Sequence, residues 1–241
     1  MRKLKYGLLL ILSMILFSVP VLAAKTYYLP SKMEEGQYYE KYSYNKYGHL
    51  INYEVFDEEN DGDDAFEETY DYKYDKNGKR ISGLYCEIFG TQHILSFDKK
   101  QYLKRSEYKY DYEGGADNYT WNKQGYLAKI DNNVKYTYYF SSNGQMKKSA
   151  YYRNGKKQSV SYYNKDGLLT KTVSNISKET ITYEYKYNKN GLVSTIIKTT
   201  NNNGKKSVDN IKVSYSKTKT DKKTYTLFIN GHDTCFDNPA L

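Results

Sequence analysis

A dense run of acidic residues between positions 57 and 68 has residue types and a spacing that could bind a metal ion. The run follows the calcium-loop pattern D-x-[DN]-x-[DN]-G-x5-E, except that Glu takes the third place. Carboxylate oxygens are ligands that Ca²⁺ prefers, and crowded carboxylates repel one another unless a cation neutralises them. The ligands of such a site would be Asp57, Glu59, Asp61, Asp63 and Glu68.

The residues around this run favour a different interpretation. The flanking segments INYEVF and TYDYKYD have the composition of strands, whereas a calcium loop of this type joins two helices. Asp64 also stands where an aliphatic residue is usual. A solvated acidic hairpin tip is therefore the favoured interpretation, and bound calcium is the alternative. We expect no other cofactor.

The remaining groups that could do chemistry are few and far apart in the sequence. His49, His93 and His232 each fall in or beside a predicted turn or strand, so a zinc site would require the fold to bring them together. Cys86 and Cys235 can form one disulfide or stay free, and we expect them to be unpaired. The sequence also lacks GxSxG, HExxH and a phosphate-binding glycine loop. We therefore expect no catalytic site.

Charge is distributed unevenly along the chain. Residues 25–117 hold 13 basic and 20 acidic side chains, whereas residues 118–241 hold 21 basic and 8 acidic ones. A basic half can attract anionic polymers such as wall teichoic acids or acidic glycans. The favoured interpretation, however, is that the lysines solvate an exposed sheet and protect its edges from aggregation.

The first 24 residues have the composition of a signal peptide. Arg2, Lys3 and Lys5 precede an apolar stretch from Leu8 to Val19, and small residues follow it. The apolar run covers 12 residues, whereas a membrane-spanning helix needs about 20, so cleavage is favoured over an uncleaved anchor. We expect a single domain over residues 25–241 that is secreted or displayed at the cell surface.

A short motif recurs seven times and predicts a series of turns. It consists of an aromatic residue, Asn or Asp, two polar residues, Gly, any residue and usually an aliphatic residue. Asn or Asp can hydrogen-bond the backbone of a turn, and Gly accommodates a positive φ at the corner. The aromatic and aliphatic residues should then meet across a hairpin. Ser replaces Asn once and Gln101 replaces Gly once in the copies Tyr44–Leu50, Tyr74–Arg80, Phe97–Leu103, Trp121–Leu127, Phe140–Met146, Tyr163–Leu169 and Tyr187–Val193.

Aromatic residues at every second position before the turns predict strands. Tyr70, Tyr72 and Tyr74 show this spacing, and it recurs before other turns. A period of two places the rings on one face of a strand, whereas a helix would scatter them around its axis. Because the chain holds 31 Tyr but 8 Phe and 1 Trp, its buried faces must consist largely of phenol rings, whose hydroxyls need partners.

A second set of turn signals lies between the motif copies, so each repeat is expected to contain two strands and two turns. These signals are DGD at 61–63, EGG at 113–115, RNG at 153–155 and NNNG at 201–204. We predict an all-β fold, preceded by the signal-peptide helix, in which tandem β-hairpin repeats form a long, coiled antiparallel meander of roughly 14 to 17 strands. A sheet of so many strands should coil or close on itself. The repeats should cover residues 38–213 and a C-terminal cap residues 214–241.

The motif resembles the YD repeat of Rhs-family and teneurin-like proteins, in which tyrosine and aspartate precede a glycine, an arginine and a leucine. The segment Tyr151–Leu169 is equally similar to the MORN-variant repeats of some bacterial proteins. Both resemblances imply a tandem β-hairpin fold without an active site in the repeats. This sequence departs from the YD pattern because it uses Asn in several copies and lacks the arginine directly after Gly.

These observations favour a secreted or cell-surface protein of a bacterium with a non-catalytic structural or interaction role. The alternative is a carbohydrate or cell-wall polymer binding module that uses exposed tyrosine rows and the basic C-terminal half. An enzyme would require histidine and carboxylates to converge in a pocket. The expected partners are a cell-wall polymer, a glycan or a surface protein, and no nucleic acid.

Overall fold

The chain forms strands along almost its whole described length. The computed structural model describes residues 25–57, 66–86, 91–110, 113–131 and 133–230. The all-β prediction is confirmed. No helix in these ranges is long and apolar enough to cross a membrane. The elements are β1 (Tyr27–Glu35), β2 (Tyr38–Tyr44), β3 (Leu50–Asp57), β4 (Phe66–Tyr74), β5 (Arg80–Cys86), β6 (Gln92–Phe97), β7 (Leu103–Tyr110), β8 (Glu113–Trp121), β9 (Leu127–Ile130), β10 (Val134–Phe140), β11 (Met146–Arg153), β12 (Lys156–Tyr163), β13 (Leu169–Ser174), β14 (Thr180–Tyr187), β15 (Val193–Asn202), β16 (Lys205–Thr220) and α1 (Lys222–Asn230).

The sheet closes into a barrel of 16 antiparallel strands. Each strand pairs with the next one along the chain, and β1 also pairs with β16. In this closing pair Met33 lies opposite Val213, and Glu35 lies opposite Ile211. The prediction of a long, coiled meander sheet is therefore wrong, because the sheet closes on itself, although the meander order of the strands is as expected. Strand β1, which precedes the first predicted repeat, supplies the edge that closes the barrel.

A β-bulge in every motif copy provides a physical reason for the closure. In all seven hairpins the register shifts just before the motif aromatic residue. In the first hairpin Tyr44 pairs with Leu50 while Ser43 pairs with Asn52, so Ile51 is the extra residue. A bulge bends its strand and increases the local twist, and a twisted sheet of more than about ten strands tends to curl. Repeated at one end of the sheet, the bulges favour a curl that brings its two edges together.

The motif turns lie at the same end of the barrel and use their Asn or Asp in the same way. In the turn before β13, the Gly167 amide donates to the carbonyl of Asn164 at 3.1 Å. Asn164 Oδ1 accepts hydrogen bonds from the amides of Asp166 (2.9 Å) and Leu168 (3.0 Å). Gly167 has a φ of 85°, and Gln101 takes the same left-handed conformation with a φ of 69°. The predicted turns and their aromatic-aliphatic pairs are thus confirmed.

Several rings that point into the barrel bind the backbone beside the bulges. Each donates a hydrogen bond to the carbonyl of the aliphatic motif residue that precedes a bulge. A phenol or indole ring can therefore fill apolar space and satisfy a buried acceptor at the same time, which Phe cannot do. There are four such bonds: Trp121 donates to Leu103 (2.6 Å), Tyr138 to Leu127 (2.6 Å), Tyr185 to Leu169 (2.5 Å) and Tyr215 to Val193 (2.7 Å).

Helix α1 lies against the end of the barrel that carries the motif turns. Asp221 caps its first turn by accepting hydrogen bonds from the amide and the hydroxyl of Thr224, both at 2.9 Å. At the other end of the helix, Asn230 Nδ2 donates to the carbonyl of Gly167 at 2.8 Å. Between these contacts the helix adds three buried side chains to the main hydrophobic core, namely Tyr225, Phe228 and Ile229.

One predicted turn is part of a strand. Residues 113–115 belong to β8, where Gly115 pairs with Tyr108. A Cβ on Gly115 would lie 2.5 Å from the Tyr108 hydroxyl oxygen, so the glycine makes room for a ring rather than for a turn. The turns predicted at 153–155 and 201–204 are confirmed. The signal peptide and the turn at 61–63 lie outside the described residues.

Closure of the barrel predicts that cysteines introduced at Glu34 and Lys212 form a disulfide. The two residues are direct partners between β1 and β16, so their Cα atoms should lie about 4.5 to 5.5 Å apart, within disulfide range. The control pairs Glu34→Cys with Lys186→Cys, whose Cα atoms should lie about 14 Å apart because three inter-strand steps separate them.

Both variants carry Cys86→Ser and Cys235→Ser. Mass spectrometry after mild oxidation should show a crosslinked peptide in the first variant alone. Two free thiols in that variant would contradict the closed barrel.

Asn164→Ala should destabilise the protein by about 1 to 2 kcal/mol, because two backbone amides lose their acceptor. Asn164→Asp should be nearly neutral, since Asp75 and Asp98 make the same two bonds in their own turns. Urea unfolding of the two variants measures the difference. Equal stability of the Ala and Asp variants would show that the side-chain oxygen has no such role.

Candidate functional site: a basic and aromatic ladder

Three rows of side chains cross the outer face of strands β10 to β13. The members of a row are direct cross-strand partners, so the register determines their order. The first row consists of Tyr139, Lys148, Tyr162 and Lys171. The middle row consists of Thr137, Ala150, Val160 and Val173. The third row consists of Lys135, Tyr152 and Lys157. We call the first and third rows together the ladder.

The two rows of the ladder flank a floor of smaller side chains. Their residues are four positions apart on one strand, which separates the rows by about 13 Å. Ala150 and Val160 face outward, yet they are only 2% and 9% exposed, because the longer side chains beside them cover the floor. The Thr137 hydroxyl is buried there without a hydrogen-bond partner. The floor thus places buried apolar side chains and one unpaired hydroxyl between the two rows of the ladder.

Lysine and tyrosine side chains contact each other within the ladder. Lys148 Nζ lies 5.6 Å from the ring centre of Tyr139 and 5.7 Å from that of Tyr162. These two rings are 51% and 39% exposed. In the third row, Lys157 Nζ lies 5.8 Å from the ring centre of Tyr152. The attraction between a cation and a ring face limits the positions of the ammonium groups, and the ring surfaces remain open to solvent.

Within the described part of the chain, the lysines of the ladder have no carboxylate partner, because none of them takes part in an ion pair. A few lysines elsewhere do have carboxylate partners: Lys32 Nζ lies 2.9 Å from Glu34 Oε1, and Lys129 Nζ lies 3.2 Å from Asp131 Oδ1. Unpaired like charges repel one another, and a bound polyanion would relieve that repulsion.

The exposed rings of the ladder do not come from the period-two tyrosine rows seen in the sequence. Tyr138, a member of such a row, donates to a backbone carbonyl inside the barrel, whereas its neighbour Tyr139 faces solvent. The sequence signal for the ladder is therefore the doubled tyrosine, because adjacent residues of a strand point to opposite faces. The doublets that place one ring inside and one in the ladder are Tyr138 with Tyr139, Tyr151 with Tyr152, and Tyr163 with Tyr162.

The structure separates the two described residues of the predicted calcium site. Asp57 ends β3, whereas Glu68 lies within β4 opposite Tyr53, four residues before Asp57. The buried carboxylate of Glu68 accepts hydrogen bonds from the hydroxyls of Tyr70 (3.1 Å) and Tyr85 (2.8 Å). Calcium binding stays a prediction, because the other predicted ligands lie outside the described residues: Glu59, Asp61 and Asp63.

His93 is close to a serine and a carboxylate inside the barrel. Its Nδ1 lies 3.0 Å from Ser106 Oγ. Burial raises the pKa of Asp117, and the nearby His93 partly offsets that rise. Ser106 is only 4% exposed, so this contact is buried. Within the described ranges, no group of three or more His, Cys, Asp and Glu side chains could hold a metal ion.

Of the two cysteines and His232, the structure describes Cys86 alone. Cys86 ends β5 and forms no disulfide with a described residue. Cys235 and His232 lie outside the described ranges, so the expectation that the cysteines are unpaired stays a prediction.

His49 lies in the first motif turn and contacts polar groups of the barrel end. Its Nδ1 lies 2.9 Å from the hydroxyl oxygen of Tyr74, which also accepts a hydrogen bond from Asn45 Nδ2 at 2.5 Å. Burial lowers the pKa of His49 to about 4, and the positive charge of Arg80 contributes to the shift. His49 is therefore neutral in the folded protein at pH 7.

This shift predicts a loss of stability in mild acid. The folded pKa of about 4 lies below the unfolded value of about 6.5. Between these values the unfolded chain binds more protons, so stability falls as the pH drops from 6.5 to 4. His49→Gln should fall less steeply in melting experiments across this window. Parallel curves for the two proteins would refute the assignment to His49.

Comparison with known proteins provides little further information. No protein-family profile matches the sequence, and no curated protein sequence matches it. Among solved structures, the chain is similar to a porin-like protein from Bacteroides uniformis, with 14% identity and a TM-score of 0.40 over 78% of this chain and 96% of that one. It is also similar to part of TcdB2-TccC3, with 13% identity and a TM-score of 0.34 over 71% of this chain and 11% of that one.

Proposed function

We propose that the protein is a non-catalytic binding protein of the cell exterior that holds an anionic glycan on the ladder. The observation that carries this proposal is the alternation of unpaired lysines with exposed tyrosines in one register across four strands. The apolar faces of sugar rings can pack on the tyrosines, and acidic substituents can pair with the lysines. Thus a glycan with carboxylate or phosphate groups matches both kinds of side chain.

The size of the ladder favours a chain over a single sugar. Each inter-strand step is about 4.8 Å, so the first row extends for about 14 Å across the barrel wall. The third row runs beside the first row, with the apolar floor between them. Several sugar units could therefore contact lysines and rings at once, and many weak contacts would add to a useful affinity.

The barrel suits this role because it is closed and its outer side chains have defined places. Binding costs less when a surface is already ordered before the ligand arrives. The signal-peptide composition of residues 1–24 supports a place outside the cytoplasm, where anionic wall polymers and glycans occur. In this proposal the structural or interaction role expected from the repeats becomes the display of a binding surface.

Removing the ladder charges should weaken binding to a polyuronate at least tenfold and reduce its dependence on salt. The variant replaces all four ladder lysines by Gln, at Lys135, Lys148, Lys157 and Lys171. The matched control replaces four exposed lysines of β16 by Gln, at Lys205, Lys206, Lys217 and Lys219. Calorimetric titration with polygalacturonate measures both, and neutral dextran serves as the uncharged probe.

The results distinguish specific binding at the ladder from nonspecific electrostatic attraction to exposed lysines. The proposal is supported if the ladder variant loses affinity for the polyuronate while the β16 variant keeps most of it. The double variant with Tyr139→Ala and Tyr162→Ala should also bind the polyuronate several-fold more weakly. Equal losses in the two lysine variants would refute the site. Tighter binding of single-stranded DNA than of the polyuronate, with the same loss in the ladder variant, would replace the glycan by a nucleic acid.

A further inference from the structure

A buried arginine occupies a motif position that is apolar in the other copies. Arg80 is the last residue of the second copy, where the remaining copies have Leu, Met or Val. These residues point into the barrel, and Arg80 does the same with an exposure of only 5%. The substitution therefore places a permanent positive charge in the core, because a guanidinium does not lose its proton in proteins.

The second exception to the motif lies directly beside the first. The main-chain carbonyl of Gln101, the residue that replaces Gly, accepts a hydrogen bond from Arg80 Nη2 at 2.8 Å. The Gln101 side chain accepts one from the Arg80 amide at 2.6 Å. The guanidinium carbon lies 4.3 Å from the ring centre of Phe97 and 5.3 Å from that of Tyr72. Of the guanidinium nitrogens, Nη2 thus has a hydrogen-bond acceptor, and two aromatic rings lie beside the group.

The other donors of this cluster have no acceptor outside it. Nε and Nη1 of Arg80 and the hydroxyl of Tyr72 are buried, and apart from the interaction of Arg80 with Tyr72 none of the three has a hydrogen-bond partner. Ion pairs within the described part of the chain do not include Arg80. The neighbouring His49 is neutral at pH 7, so it neither adds nor removes charge. Burial raises the pKa of Tyr72 to about 12, although the charge of Arg80 limits the rise, so Tyr72 keeps its proton.

An anion meets the needs of this cluster better than water does. A buried water could accept the hydrogen bonds, but it would leave the charge of the guanidinium uncompensated. The free energy needed to remove a cation from water exceeds the stabilisation that two contacts with aromatic rings provide. A buried charge without a partner is therefore strongly destabilising. The three groups are all potential donors, and their contacts with one another supply no negative charge. Because they are shielded from bulk solvent, a further partner must be both negative and small.

We propose that one small monovalent anion of the halide class, such as chloride, binds to Arg80 Nε and Nη1 and to the Tyr72 hydroxyl. It acts as an internal counter-ion that stabilises the barrel end formed by β4 to β7. This site is independent of glycan binding, because the ladder lies on the outer face of β10 to β13 and Arg80 lies inside the barrel. Loss of one site should therefore leave the other intact.

Thermal unfolding of the exported protein in chloride and in gluconate, at equal ionic strength, tests the proposal. At chloride concentrations ten times the dissociation constant, the Tm should be about 3 to 6 °C higher than in gluconate. Arg80→Leu restores the residue found in other copies and should abolish the difference. Tyr72→Phe keeps the ring and should reduce it. The control Arg105→Leu removes an exposed arginine paired with Glu107 at 2.6 Å and should leave the difference unchanged.

Crystals grown in bromide provide a second measurement that does not depend on the variants folding. An anomalous peak beside Arg80 Nε and Nη1 would support the site. Water alone at that position would overturn the proposal. It would also be overturned if Arg80→Leu folded and kept the same chloride dependence as the unmodified protein.

Discussion

The barrel depends on the hydrogen bonds that the Asn or Asp side chain makes in the motif turns. In one such turn, Asn188 Oδ1 accepts hydrogen bonds from the amides of Asn190 (2.9 Å) and Leu192 (3.1 Å). The corner then takes a left-handed conformation at Gly191 and the following strand begins with a bulge. Because the same geometry recurs at one end of the sheet, each hairpin adds curvature of the same sense. The closing pair of β1 with β16 becomes possible only when these increments accumulate.

The same turn decides which face each ring occupies. A shift of one residue would exchange the inner and outer faces of a strand, so a register defined at the turn also assigns the doubled tyrosines. The inner ring of a doublet meets apolar residues and backbone carbonyls, and the outer ring meets lysines. Tyrosine suits both places because its ring is apolar and its hydroxyl is polar. The abundance of Tyr over Phe thus serves the core and the proposed binding surface together.

The exceptions to the repeat are more informative about function than the repeat itself. Arg80 and Gln101 break the motif in neighbouring turns and bind each other, so the two departures form one local structure. Gly115 leaves space for the Tyr108 ring. On the outer wall, the ladder differs from the surface near Lys32 because its lysines form no ion pair with a described carboxylate. Each departure therefore marks a place where the chain does more than extend the sheet.

The sequence by itself determined the features that depend on neighbouring residues. Turn chemistry at Asn164 and Gly167, the alternation of Tyr70 and Tyr72, and the excess of lysine after residue 118 could all be predicted, because they rest on contacts within a few positions or on composition. Only the tertiary structure decided that β1 meets β16, that helix α1 lies against the turns, and that ladder residues from four strands form rows. These features join segments far apart in the chain, and they depend on the summed twist and bulges of the sheet, which no single motif copy specifies.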